Sequence, residues 1–149
     1  MHTMKKHGFC YALVLLFCLS TLAPSVLAMS MQPRASNYIK VCSATVVAAG
    51  SGKISVSVVV SGIGNMTQIG ATKIVIEQSA SGSVVWTAAK TYYSSSVSAM
   101  LSSGASYSKT PVTYQGTKGY RYRAVVTCYA ANGSGSDSKA CVSSPITAT

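Results

Sequence analysis

Acidic side chains are nearly missing from this chain: Glu77 and Asp137 are the only two among 149 residues, against twelve Lys and Arg. Histidine is almost as scarce, with only His2 and His7, both at the extreme N-terminus. Each shortage excludes chemistry. Two-carboxylate hydrolysis needs a pair of Asp or Glu flanking one bond, and here the two acids sit far apart in sequence. A Ser–His–Asp or Cys–His arrangement needs a histidine base within reach of its nucleophile. Closely spaced zinc-binding motifs are absent too, since Cys42, Cys128 and Cys141 have no second Cys or His within a few positions. The Gly62-x-Gly64 pair leads into no predicted helix and is a turn signal, not a phosphate loop. A Ser–Lys dyad stays open in so Ser-rich a chain, but no serine is singled out. The expectation is a protein that is not an enzyme and carries no cofactor and no metal.

No apolar run reaches the ~20 residues that span a bilayer. The longest, Tyr11–Leu22, follows Lys5 and Lys6 and precedes Pro24 and Val26-Leu27-Ala28. A basic start, a short apolar run and small residues at a cleavage point define a secretory signal. We therefore expect residues 1–28 to be a cleaved signal peptide and the product to be secreted, with no transmembrane segment. Lipid attachment is disfavoured because Phe17 precedes Cys18 and Phe9 precedes Cys10. Cleavage would remove both histidines, two lysines and two of the five cysteines, leaving ten basic and two acidic residues, a charge of +8.

Residues 29–36 are polar and Pro-containing and read as a flexible leader. Residues 37–149 are rich in Ser, Thr, Gly, Val and Ala and break into short alternating segments between Gly/Ser turns. That pattern predicts one all-β domain, an antiparallel two-sheet β-sandwich of about 7–8 strands. The clearest strand is Lys53–Ser61, with Ile54, Val56, Val58 and Val60 on one face and serines on the other. Gly50-Ser51-Gly52 is a turn, and Gly62–Gly70 reads as a loop before a strand at Thr72–Gln78. Val84–Tyr93 is a strand carrying Trp86. Ser94–Ser106 is irregular and Ser-rich, and reads either as one weak strand or as a single helical turn around Ala99-Met100-Leu101. Tyr107–Tyr114 and Tyr120–Ala131 are strands, and Asn132-Gly133-Ser134-Gly135 closes a hairpin onto Ser136–Thr147. The expected core is Ile54, Val56, Val58, Val60, Ile74, Ile76, Trp86, Tyr122, Ala124 and Val126.

Several blocks resemble a known family. Gly52-Lys53-Ile54-Ser55-Val56, the stretch Gly64–Ile76 containing Ile69-Gly70-Ala71-Thr72-Lys73-Ile74, Tyr114-Gln115-Gly116-Thr117, Tyr120–Thr127 and Gly133–Ser138 are similar to small secreted proteins of Gram-positive gut bacteria classed as a domain of unknown function. The resemblance covers about Tyr38 to Thr147, and Ile69–Ile76 is its most specific part. It implies export and a single β domain, and it implies no activity. The final hairpin also resembles that of fibronectin type III and immunoglobulin-like sandwiches, which concerns fold alone.

Of the three cysteines left after cleavage, hairpin geometry favours Cys128 with Cys141. A loop centred between Ser134 and Gly135 sets them opposite, whereas an Asn132-Gly133 turn would set Cys128 opposite Asp137 and drive that acid inward. A Cys42–Cys128 bridge between sheets and three reduced thiols are the alternatives. The functional reading rests on charge. Lys118, Arg121 and Arg123 form the tightest basic group and are the candidate anion-binding residues. The partners expected for an exported cation are anionic wall polymers, acidic glycans, bilayer headgroups or a cell-surface protein, with nucleic acid disfavoured by the compartment. The expected role is a non-enzymatic binding or structural module retained by charge. The alternative is a secreted cationic effector, antibacterial or host-directed.

Overall fold

A computed structural model describes residues 36–149; the expected signal peptide and nearly all of the leader lie outside the described residues. Seven strands and one 3-10 turn follow in order: β1 (Ile39–Gly50), β2 (Lys53–Ser79), β3 (Thr87–Tyr93), the turn Ser98–Met100, β4 (Leu101–Gln115), β5 (Arg121–Asn132), β6 (Gly135–Val142) and β7 (Ile146–Thr147). Hydrogen bonding joins them into one antiparallel sheet, ordered β1-β2-β5-β6, with β3 and β4 also on β2 and β7 on β5. The sheet curls into a half-barrel.

The organising element is β2. Its 27 residues would reach about 90 Å if straight, at ~3.3 Å per residue, far beyond the span of a domain this small. It therefore bends, and its two halves carry different neighbours. Residues 53–61 lie between β1 and β4; residues 68–79 lie between β3 and β5. The expected loop at Gly62–Gly70 is thus continuous strand. Gly70 lies at the bend, with φ +144° and a Cβ position that would run into the carbonyl oxygen of Met100. Glycine is required there both for the conformation and for the close approach.

The alternation in the first half of β2 behaves as the sequence predicts. Ile54, Val56, Val58 and Val60 are wholly buried, while Ser55 and Ser57 share hydroxyl hydrogen bonds with Thr113 and Thr110 of β4, at 3.2 and 2.7 Å. The second half contributes Ile69, Ala71, Ile74 and Ile76, and β5 contributes Tyr122, Ala124, Val126, Cys128 and Ala130. Each large apolar side chain buried this way is worth ~1.5–3 kcal/mol. Two core assignments change. Trp86 is half-buried, just ahead of β3 and outside the core. Tyr107, outside the expected core, is 1% exposed and donates its hydroxyl to the Ala99 carbonyl at 2.6 Å. Burial pushes its pKa up to about 12.

The first hairpin turns through Ser51-Gly52, both with positive φ (54° and 78°), as the tightest two-residue connections require. The last hairpin turns through Gly133-Ser134. The Asn132 side-chain oxygen accepts the Ser134 N–H at 2.8 Å and fixes the loop there. Asn132 then faces Gly135, Cys128 faces Lys139, and Val126 faces Cys141. Neither register considered from sequence is adopted.

Candidate functional site

Two groupings concentrate the chemistry of the described residues: a basic–aromatic cluster on the outer face of β5, and three sulphurs where β1 meets β5 and β6.

Period two along β5 sends Tyr122 and Ala124 inward and leaves Arg121 and Arg123 half-exposed on the opposite face. The ladder aligns Arg123 with Glu77 of β2, and the two form an ion pair, Nε to Oε2 at 2.6 Å. Glu77 is thus paired, not simply solvated. Trp86 lies against both guanidinium groups, with Arg123 Cζ 4.4 Å and Arg121 Cζ 5.4 Å from its ring centroid. A planar guanidinium against an indole is a favourable cation–π arrangement. Two of the three expected anion-binding residues are therefore brought together. Lys118 is instead an exposed residue of the turn entering β5, where its backbone runs beside Gly52 of the first hairpin. Arg121 has no acidic partner among the described residues. The sequence missed Trp86 here: a lone tryptophan in an alternating segment reads as core, and only the pairing of β3 with β2 sets it beside β5.

More cations stand on aromatic rings: Lys73 over Tyr93, Lys90 over Tyr92 and Lys109 over Tyr107, at 5.7–5.9 Å. Of the nine Lys and Arg among the described residues, only Arg123 is in an ion pair. The other acid, Asp137, is occupied differently. Its carboxylate accepts from the Ser36 hydroxyl at 2.8 Å and from the backbone N–H of Asn37 and Tyr38 at 2.6 and 3.1 Å. The Ser36 hydrogen bond leads in holding its pKa below the usual 3.8, and the two backbone donors add to it. A hairpin acid commonly supports its own turn. Asp137 clasps the start of β1 to β6 instead, and those donors remove the cost of turning it toward the Ala130 side of the ladder.

The cysteine pairing differs from the expected one. The structure bridges Cys42 of β1 to Cys128 of β5, with Cα atoms 6.2 Å apart, and leaves Cys141 as the free thiol. The favoured Cys128–Cys141 pair fails on register. In the observed ladder the two are diagonal neighbours, ~7–8 Å apart at Cα, beyond the usual disulfide span of 4.4–6.8 Å. Cys141 nonetheless stays close, its Sγ 3.8 Å from that of Cys128. Desolvation raises the Cys141 pKa above its ordinary value, and Lys139 pulls weakly the other way. All three sulphurs lie within 4.8 Å of one another. Cys128 is fully buried, and Cys42 and Cys141 are partly exposed.

Among the described residues no buried side-chain nitrogen or oxygen lacks a hydrogen-bond partner, and no helix is long and apolar enough to cross a membrane. The chain matches no protein-family model, no curated protein and no solved structure.

Proposed function

We propose that this protein is an exported, non-enzymatic β module that binds anionic polymers of the cell wall or acidic glycans through the Arg121–Trp86–Arg123 cluster. One observation carries the reading: an indole and two guanidinium groups share a half-exposed patch in which the single available carboxylate, Glu77, neutralises only one of them. A flat aromatic surface beside unpaired Arg suits a sugar ring bearing carboxylate or phosphate, since Arg presents a planar fork of donors to such oxyanions. The excess of Lys and Arg elsewhere adds a long-range attraction. Export is supported by the N-terminal pattern of the sequence and by the Cys42–Cys128 bridge, because disulfides persist mainly in oxidising compartments.

In this reading the curled sheet acts as a two-layer sandwich of immunoglobulin-like character. The first half of β2, with β1 and β4, packs over the second half, with β3, β5 and β6. Kinship with the secreted gut-bacterial family belongs to the same proposal.

Trp86 is the only tryptophan in the chain, so its emission reports directly on the patch. Titration with purified anionic wall polymer should shift that emission and saturate. Binding should weaken at ionic strengths where the Debye length falls to a few Å, on the order of 1 M. Arg121→Gln should lose most of the response while melting within a few degrees of the parent, since it removes one cation–π contact worth about 0.5–1 kcal/mol. Binding that is unchanged in Arg121→Gln and insensitive to salt would overturn the proposal. Leakage of anionic vesicles at the same protein concentration would replace it with a membrane-directed cationic effector.

A further inference from the structure

The three sulphurs come from three strands and 99 residues of sequence (Cys42 to Cys141), yet they converge on one spot at the edge of the core. Cys42 arrives from β1, Cys128 from the buried face of β5, and Cys141 from β6, two residues beyond the Lys139 that faces Cys128. A bridge uses only two of them. The third has no role in that bridge, and its sulphur is still within 3.8 Å of Cys128.

From this convergence we propose that, when the Cys42–Cys128 bridge is reduced, the three cysteines form a binding site for a thiophilic d10 cation, of the Cu(I), Zn(II) or Cd(II) class.

The dimensions fit. Metal–thiolate bonds of ~2.3 Å place sulphurs about 3.8 Å apart in tetrahedral and about 4.0 Å apart in trigonal coordination. The three sulphurs already lie within 4.8 Å, so small rotations about the Cα–Cβ bonds suffice. The donor set selects the ion: soft thiolates favour Cu(I) and Zn over Mg or Ca, and no histidine or carboxylate completes the cluster among the described residues. Access fits as well, since Cys42 and Cys141 are partly exposed while Cys128 forms the buried floor. The Lys139 carbonyl oxygen is 3.6 Å from Cys42 Sγ and can accept from that thiol once it is released.

The chemistry balances with a dithiol reductant. The reductant gives two electrons and two protons to the Cys42–Cys128 bond, becomes a cyclic disulfide and leaves two thiols. The cation then forms three metal–sulphur bonds and displaces the three thiol protons to solvent, with no change in its own oxidation state. Bridge and metal would thus close the same seam in oxidising and reducing surroundings.

The test uses the full chain, reduced with a dithiol that is then removed anaerobically, and titrated with Cd2+. A thiolate-to-cadmium charge-transfer band should rise and saturate at one ion per chain, and the melting temperature should rise with it. The oxidised protein should show neither. Cys141→Ser keeps the bridge, so its oxidised form should fold as the parent does. Reduced, it should bind Cd2+ about a hundredfold more weakly, because one of three ligands is gone. A band that saturates at fewer than one ion per chain, or equal affinity in reduced Cys141→Ser, would overturn the proposal.

Discussion

Trp86 shows how one residue can mislead a sequence reading and yet inform a function. By size and hydrophobicity it belongs in the core, and its segment alternates. The structure instead leaves it half-buried beneath Arg121 and Arg123, with exposed Val84 and Val85 immediately before it. Its removal is therefore not a cavity mutation. Trp86→Ala should lower stability by about 1–2 kcal/mol, the loss of partial burial and two cation–π contacts. Val58→Asp places a carboxylate at a wholly buried position and should abolish folding. Thermal melts followed by far-ultraviolet circular dichroism separate the two. Equal, complete loss of structure in both would return Trp86 to the core. Other residues were legible because their signal is local: Ile54 to Val60 and Tyr122 to Val126 sit at strict period two, and period two specifies a buried face. Tyr107 was not legible, because its burial depends on β4 crossing the bend of β2.

At the level of elements, the largest difference between sequence and structure is β2. The apolar phase is even from Ile54 to Met66, odd at Ile69 and Ala71, and even again at Ile74 and Ile76. A broken alternation reads as a loop. The strand is in fact continuous: its pairing with β4 shifts between Ser61 and Met66, and the phase reverses at two further irregularities, one against β4 between Met66 and Ile69 and one against β5 between Ala71 and Lys73. An irregularity of this kind turns the side chains over and bends the strand, and a period-two template registers only the interruption. Pro111 is accommodated in the same way, in β4, where the pairing with β2 shifts between Val56 and Val58. Gly70 lies between the two slips of β2. Gly70→Ala combines an unfavourable φ with a clash against the Met100 carbonyl, and it should cost about 2–4 kcal/mol. Gly64→Ala, with positive φ but open space around it, should cost about 1 kcal/mol. Chemical denaturation of the two variants tests whether the bend is built on close approach or on conformation alone. The hairpin register failed for a related reason: Asn132, Gly133, Ser134 and Gly135 all suit turns, and the Asn132 hydrogen bond that decides among them is not visible in a sequence.

For the whole molecule, the question is what keeps a curled sheet closed. Two fastenings join β1 to the β5–β6 hairpin. One is covalent: the Cys42–Cys128 bridge spans 86 residues, and in the chain-entropy model a loop of that length is worth about 4–5 kcal/mol, a large share of a small domain's stability. The other is ionic in character, the Asp137 carboxylate with its three donors at residues 36–38. The two should be separable by pH. A carboxyl whose folded pKa is depressed contributes stability that is present above its unfolded value, near 3.8, and is lost as pH falls through the folded pKa. The bridge does not titrate. With the bridge intact, the melting temperature should therefore be flat from neutrality to about pH 4 and then decline, as Asp137 takes up its proton. Asp137→Asn should melt lower than the parent at neutral pH and lose much of the acid decline, since Glu77 is the only other acidic side chain in the sequence. Amide exchange should locate the loss, with protection falling first at Asn37 and Tyr38 while the paired core of β5 stays protected. An acid decline of equal size in parent and Asp137→Asn would show that the Asp137 clasp is not its source, and the bridge alone would then hold β1 to the seam.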